Sequence, residues 1–253
     1  MNYYTEVGVI GTGFVGKAVL KHFKGAAYYS LSGGDFKRLD KMPYIFLCLP
    51  TPFNKETGFD ISALTSNIER LSPGKNIIIK STVIPGTTDK FAKQYPQHNF
   101  FMNPEFLRAE CAVNDFLHPE RQIVGYTGNH KMIAQYILDM LPKAEASFIC
   151  TAKEAEMCKL IGNDYLSLKV VFANQMYDWC IKAGVDYDTV IRMVKHDSRI
   201  GISHWEIFHQ GYRGYSGYCF PKDMNASIFD SGSELLKKAH ELNDKYLQQK
   251  NGQ

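Results

Sequence analysis

The sequence is poor in several things, and each shortage removes a class of protein. Its six cysteines (Cys48, Cys111, Cys150, Cys158, Cys180 and Cys219) form no C-x-x-C pair and have no regular spacing. That argues against a disulfide scaffold or a zinc ribbon, and no metal site is expected. Charge of one sign is scarce too. The 29 Lys+Arg against 26 Asp+Glu leave +3, with both signs interspersed, so no nucleic-acid partner is expected. No apolar run reaches the roughly 18 residues of a membrane span, so no membrane partner is expected either. The opening MNYYTEVGVIG lacks a charged region followed by an apolar stretch, so a secretory leader is not expected and reduced thiols in the cytoplasm are the default. What is present is core material: 45% of the 253 residues are hydrophobic, enough for one large domain or two small ones.

Strand patterns at Glu6–Ile10, Ala27–Leu31, Tyr44–Leu49, Asn76–Lys80, Asn99–Met102, Gln122–Gly125 and Ala146–Cys150 are interspersed with helical patterns at Val15–Phe23, Ile61–Leu71, Thr87–Tyr95 and Lys131–Leu141. Several strand segments are continuous β-branched or aromatic runs, as in strands covered on both faces. The pattern predicts an α/β fold whose residues 1–150 form a Rossmann-like doubly wound sheet. Asp60 is the expected N-cap of the second helix. From residue 151 to 253 the character changes to all-helical. Thr151 and Glu154 make a capping box, and the helical pattern then runs unbroken to Gly184, a suitable C′ residue. A helix of about 33 residues, roughly 50 Å at 1.5 Å per residue, suits the spine of a helical domain. A shorter helix is expected at Tyr187–Lys195, then an irregular Gly- and Tyr-rich stretch from His196 to Pro221. The final helix, Ser233–Gln249, has Ser231 and Glu234 as its expected capping box.

Gly11-Thr12-Gly13-Phe14-Val15-Gly16 follows the first strand and opens the first helix. The first glycine makes the tight turn, the second lets a pyrophosphate approach, and the third lets helix pack on strand, so a dinucleotide is expected there. The acidic companion is less clear. No Asp or Glu ends the second strand; Ser30 stands where the ribose carboxylate is usual, with Asp35 able to reach back, while Lys37 and Arg38 keep a 2′-phosphate in play. NAD and NADP both stay open on these residues. Pro50 and Thr51 close another strand, and Ser81 and Thr82 a further one; they line a nicotinamide pocket or are plain Pro-Gly loop chemistry. Lys159 and Asn163 are one turn apart on the long helix, a pair that can orient an alcohol and relay its proton, although an isolated pair of this kind is ordinarily a solvated face. The stretch Gly211–Asp223 places three glycines before Cys219 and then Lys222 and Asp223, a flexible loop delivering a thiol beside charges. A buried packing role fits the other five cysteines better.

In order, GTGFVG, LPTPF, STVIPGTT, NPEFLRAECAVNDF, HPERQIVG, EAEMCKLIGNDYL, KVVFANQ, DSRIG and GYSGYCFPKD resemble the UDP-glucose/GDP-mannose dehydrogenase family over nearly the whole chain. The resemblance implies NAD as cofactor and a nucleotide-sugar substrate, UDP-glucose or a related UDP-sugar, whose primary alcohol is oxidised to a carboxylate in two hydride transfers. It implies Cys219 as nucleophile, forming a thiohemiacetal and then a thioester. Lys159 and Asp223 would handle the proton and the oxyanion, and Asn163 would position substrate. Glu105 would be acid/base in thioester hydrolysis, and Thr82 would hold a water or the nicotinamide edge. Phe106, Leu107 and the loop around Gly211, Tyr215 and Gly217 would touch substrate. Arg199 would reach a neighbouring subunit's substrate, implying a homodimer built on the long helix.

Three departures accompany the resemblance. Family members read E-F-L-R-E-G where this sequence has Glu105-Phe-Leu-Arg-Ala109-Glu110. Asp35 to Tyr44 is short for the usual helix plus strand. The sequence ends where the family continues into a second α/β domain that grips UDP. A two-electron β-hydroxyacid dehydrogenase-type enzyme and a non-catalytic dinucleotide-binding subunit are the alternatives; the Cys-Phe-Pro-Lys-Asp run speaks against the first, and Cys219, Lys159, Glu105 and Asp223 together speak against the second.

Overall fold

A computed structural model describes residues 6–209 and 211–249. The chain divides into two compact units: one runs to Pro52 and resumes as Phe59–Lys159, and the other takes Phe53–Gly58 and the chain from Leu160 onward.

The first unit is built on a sheet whose strands are too short to tolerate error. β1 (Val7–Ile10) is buried at all four residues and leads into α1 (Phe14–His22), β2 (Ala27–Ser30) and a two-residue β3 (Gly33–Gly34). Then follow α2 (Phe36–Leu39), β4 (Tyr44–Leu47), the small hairpin of β5 (Phe53–Asn54) and β6 (Gly58–Phe59), whose residues Phe53–Gly58 count with the second unit, α3 (Ser62–Ile68), β7 (Asn76–Ile79), α4 (Thr87–Gln94) and β8 (Asn99–Met102). α5 (Ala112–Leu117), β9 (Arg121–Tyr126), α6 (Lys131–Met140) and β10 (Ala146–Thr151) complete it. The sheet order is β10-β9-β8-β7-β4-β1-β2-β3. Five strands, β1, β2, β4, β7 and β8, run parallel, β9 is antiparallel to β8, and β3 is an antiparallel edge. Alternate residues feed opposite faces: Val7, Val9, Phe46, Ile78 and Phe101 pack with α1, α5 and α6. Ile10, Ile45, Leu47, Ile79 and Met102 pack with α3, α4 and the start of the long helix. This two-sided burial is why the strands read as unbroken apolar runs.

Register places the site. Ile10 pairs with Leu47, Leu47 with Ile79, and Ile79 with Met102, so the next residues, Gly11, Cys48, Lys80 and Asn103, stand in one row at the carboxyl ends of four strands. The chain leaves β1 for β2 on one side and returns to β4 on the other, which makes the β1–β4 boundary the switch point where such sheets hold ligands.

Apart from Phe53–Gly58 the second unit is helical, and the long helix that leads into it begins in the first. α7 (Ala152–Ala183) is 32 residues and starts on the expected capping box, Glu154 Oε2 accepting from Thr151 N at 2.8 Å and Thr151 Oγ1 from Glu154 N at 3.3 Å. It stops at Gly184, whose φ is +70. α8 (Tyr187–Val194), α9 (Cys219–Ser231) and α10 (Glu234–Gln248) follow, with cores around Val171, Met224 and Tyr246 and around Ala173, Ile191 and Trp205. Among the described residues no helix is long and apolar enough to cross a membrane.

Several boundaries differ from expectation. The stretch from Asp35 to Tyr44 has room only for the one-turn α2. The α3 N-cap is Ile61, but Asp60 still serves that end, accepting from Ser62 N at 2.9 Å. Ser233, not Ser231, caps α10; the Ser231 hydroxyl donates to Ser227 O at 2.6 Å. The irregular stretch ends early, because Cys219 is already the first residue of α9.

Candidate active site

At the switch point the three glycines do different things. A Cβ on Gly11, whose φ is +95, would lie 2.3 Å from Cys48 O, and one on Gly16 would lie 1.8 Å from Gly11 O. Gly13 has open space where its Cβ would point. Two glycines therefore let turn, strand and helix close up, and one leaves room in front of α1. No side chain caps that helix and its first turn holds no acid, so the amides before Phe14 and Val15 suit a pyrophosphate. These residues fit a dinucleotide. At the end of β2, Ser30 Oγ donates to Gly33 O at 3.2 Å. Asp35 does not reach back to it; its carboxylate accepts from Arg38 N at 3.0 Å as the N-cap of α2.

The loops after β4 and β7 are stitched together. Ser81 Oγ donates to Leu49 O at 2.6 Å and accepts from Leu49 N at 3.1 Å, and Thr51 Oγ1 donates to Thr82 O at 2.7 Å. The Ser81 and Thr51 hydroxyls thus shape the loops; Pro50 is exposed and Thr82 half-buried.

Lys80 is the residue here that the sequence did not single out. It is 3% exposed. Its Nζ donates to Asn103 Oδ1 at 2.8 Å and lies 3.7 Å from Glu105 Oε2. Glu105 also accepts from Leu107 N at 2.5 Å, so its carboxylate is held from two sides. The Phe106 ring has the Arg121 guanidinium 4.0 Å and the Lys159 ammonium 5.3 Å from its centroid. Burial pushes the Cys48 thiol up to about 12, the Lys80 charge opposing and Glu105 adding, which makes it inert. Only hindsight gives Lys80 a sequence signal: a lysine closing the apolar run Asn76–Ile79.

In the second unit Asn163 and Asp223 are 9% and 1% exposed, and Lys159, one turn earlier on α7, is buried as well. A solvated helix face is excluded. Asn163 Nδ2 donates to Asp223 Oδ2 at 2.6 Å, and Lys222 pairs with the other oxygen. Cys219 is exposed, at a helix N-terminus whose N-cap, Tyr218, makes no side-chain cap bond. Cys111 is exposed too, so burial does not separate all five remaining thiols from Cys219. The glycine loop is clipped to α10: Tyr215 N donates to Asn243 Oδ1 at 2.6 Å, and Asn243 Nδ2 donates to Tyr215 O at 2.9 Å. A Cβ on Gly214 would meet that Asn243 oxygen at 2.6 Å. Gly211 and Gly217 are exposed on either side. The Asp164 carboxyl is pushed up to about 6, by burial first and by the Asp223 charge also. Neither Asp164 Oδ1 nor Ser227 Oγ completes a hydrogen bond among the described residues.

Arg199 is folded onto its own loop, bonded to both oxygens of Asp197 at 2.9 and 2.6 Å. It lines an apolar groove of about 730 Å³ with Tyr165, Phe172, Trp179 and Trp205.

Residues 21–139 match the NAD binding domain, and residues 153–245 the central domain, of the UDP-glucose/GDP-mannose dehydrogenase family. A UDP-glucose 6-dehydrogenase of Rickettsia prowazekii is 33% identical over 211 residues, 79% of this chain and 46% of that protein. One from Campylobacter jejuni is 30% identical over 210 residues, 79% of this chain and 52% of that protein. The chain spans about half the length of these curated relatives. Among solved structures, a UDP-glucose dehydrogenase of Pyrobaculum islandicum superposes with a TM-score of 0.79 at 25% identity, covering 94% of this chain and 68% of that one.

Proposed function

Because the chain belongs to the UDP-glucose/GDP-mannose dehydrogenase family, we propose that it is an NAD-dependent nucleotide-sugar dehydrogenase, oxidising UDP-glucose or a related UDP-sugar to the uronate in two hydride transfers. The observation that carries this reading is the buried Asn163–Asp223–Lys222 cluster, four residues from an exposed cysteine at the start of α9. Simple alcohol oxidation has no use for that thiol.

NAD, when bound, accepts the hydride at each oxidation. In the first unit, Gly11–Gly16 would hold the pyrophosphate, and Thr82 a water or the nicotinamide edge. Lys159, whose Nζ lies 5.3 Å from the centroid of the Phe106 ring, would handle the alcohol proton. In the second unit, Asn163 and Asp223 would orient substrate, and Lys222 and the α9 N-terminus would favour the thiolate of Cys219. That thiolate adds to the aldehyde carbon; loss of the second hydride leaves a thioester. Water then cleaves it, Glu105 taking the water proton and the thiol leaving as the carboxylate forms. Phe106, Leu107 and the Gly211–Gly217 loop would contact the sugar nucleotide.

The functional unit in this reading is a cytoplasmic homodimer. Tyr165, Phe172 and Trp179 are 57%, 52% and 67% exposed and recur every seven residues, one stripe along α7 that a second copy would cover. Arg199 borders that stripe and would reach the partner copy's substrate.

The test is stoichiometry. Purified protein with NAD and UDP-glucose should reduce two cofactors per sugar consumed, and Cys219→Ser should form no uronate. One cofactor per sugar with an aldehyde or ketone product, or uronate from Cys219→Ser at the wild-type rate, would sink the reading.

A further inference from the structure

We propose that the adenosine end of this dinucleotide site does not select against a 2′-phosphate, so that the protein binds NADP about as tightly as NAD, and that Ser30 is the position that sets this. The inference rests on the dinucleotide reading of the Gly11–Gly16 loop.

In a Rossmann unit a carboxylate at the end of the second strand accepts from the ribose 2′-hydroxyl and repels a 2′-phosphate, whereas a nearby arginine pairs with that phosphate. Here β2 ends on Ser30, whose hydroxyl donates to Gly33 O and lies 3.0 Å from Ser32 Oγ. Between Ser30 and Arg38 the sequence offers one acid, Asp35, and two cations, Lys37 and Arg38.

Acid and arginine are both committed elsewhere. β3 turns back along β2 with Ser30 opposite Gly33 and Tyr29 opposite Gly34, and Asp35 N donates to Tyr28 O at 3.0 Å. Asp35 therefore sits beside Tyr28, two residues below the strand end, about 7 Å back at 3.4 Å per residue. Its carboxylate is turned onto the Arg38 amide as the cap of α2. The hairpin cannot loosen to bring it forward without losing a close fit: at Gly34 a Cβ would lie 2.3 Å from Tyr28 O. Arg38 Nη2 donates to Gly25 O at 2.9 Å, and Gly25 precedes β2, so the guanidinium points to the opposite end of the strand from Ser30. Lys37 is exposed on α2 and acts on a phosphate only through screened solvent.

The strand end thus presents two uncharged serine hydroxyls: Ser30, whose proton goes to Gly33 O, can accept from a ribose hydroxyl, and Ser32 beside it can donate to a phosphate oxygen. Discrimination against a competitor needs a repulsive element, and the segment holds its one carboxylate away.

Equilibrium binding to the full chain tests this, by calorimetry with NAD and NADP and with the half-ligands AMP and 2′,5′-ADP. The NADP and NAD dissociation constants should agree within about tenfold, as should those of the half-ligands. Ser30→Asp should weaken NADP and 2′,5′-ADP by at least about tenfold while leaving NAD within about threefold. Ser30→Asn, of similar size and uncharged, should leave the ratio alone, as should Arg38→Ala. A wild-type preference beyond tenfold for either cofactor, a selective loss of NADP binding in Arg38→Ala, or an unchanged ratio in folded Ser30→Asp overturns the inference. Binding of neither dinucleotide overturns the underlying reading instead, and this inference with it.

Discussion

Asn163 and Asp223 lie sixty residues apart in sequence and 2.6 Å apart in space, the amide donating to one carboxylate oxygen while Lys222 holds the other. The bond ties the middle of the long helix to the first turns of α9, and through them to Cys219. Asn163→Ala and Asp223→Asn should each lower kcat on UDP-glucose by about 10²-fold or more, with the NAD dissociation constant unchanged. Steady-state kinetics beside a binding titration reads both. Full kcat in Asn163→Ala would remove this bond from the machinery.

Glu156 is fully buried and accepts from Gly86 N at 2.5 Å and from Thr88 N and Oγ1 at 2.8 and 2.6 Å. It caps α4 from a helix more than sixty residues later and so anchors the loop that carries Ser81 and Thr82. Glu156→Ala strands two buried donors on Thr88 and the part-buried Gly86 amide and should cost about 3–5 kcal/mol, near 10 °C in Tm for a chain of this size by the roughly 2–4 °C per kcal/mol rule. Glu156→Gln should recover only part of this, since its amide nitrogen faces another donor. A thermal melt of each variant decides it.

Asp164 predicts the sign of a pH effect. Its carboxyl rises from 3.8 to about 6 on folding, so between those values the folded state holds a proton that the unfolded state has released. Stability therefore falls as pH rises through this window, by about 3 kcal/mol in full. Asp164→Asn should melt higher than wild type above pH 6, and the difference should vanish below pH 4. Equal melting of the two proteins at pH 7.5 would contradict the assignment.

The stripe of Tyr165, Phe172 and Trp179 can be tested by charge. Phe172→Glu with Trp179→Glu should yield a monomer in sedimentation at concentrations where the wild type is a dimer, with far-UV dichroism unchanged. A monomeric wild type would end the dimer proposal.

Local chemistry was legible because it is local. Gly11-x-Gly13-x-x-Gly16, the Thr151–Glu154 box and the Gly184 stop each involve residues within a few positions of one another, and each appears as read. The Lys159–Asn163 pair was legible as a spacing, but its burial was not, because burial depends on what another element brings against the helix. The boundary of α9 was missed for a related reason: three glycines and a proline signal a loop, yet proline is tolerated in the first turn of a helix, where its missing N–H would have no partner anyway.

By itself, then, the sequence determined the strand and helix periods, the glycine turn after the first strand and the family resemblance. Only the tertiary structure decided that Asp35 caps α2 instead of reaching toward Ser30, that Arg38 points to Gly25, that Lys80 holds Glu105, and that Asn243 clips Tyr215. The reason is physical. A side chain's partner is the donor or acceptor nearest in space, and for these residues it lies across a hairpin, across a sheet, or on a helix folded back much later in the chain.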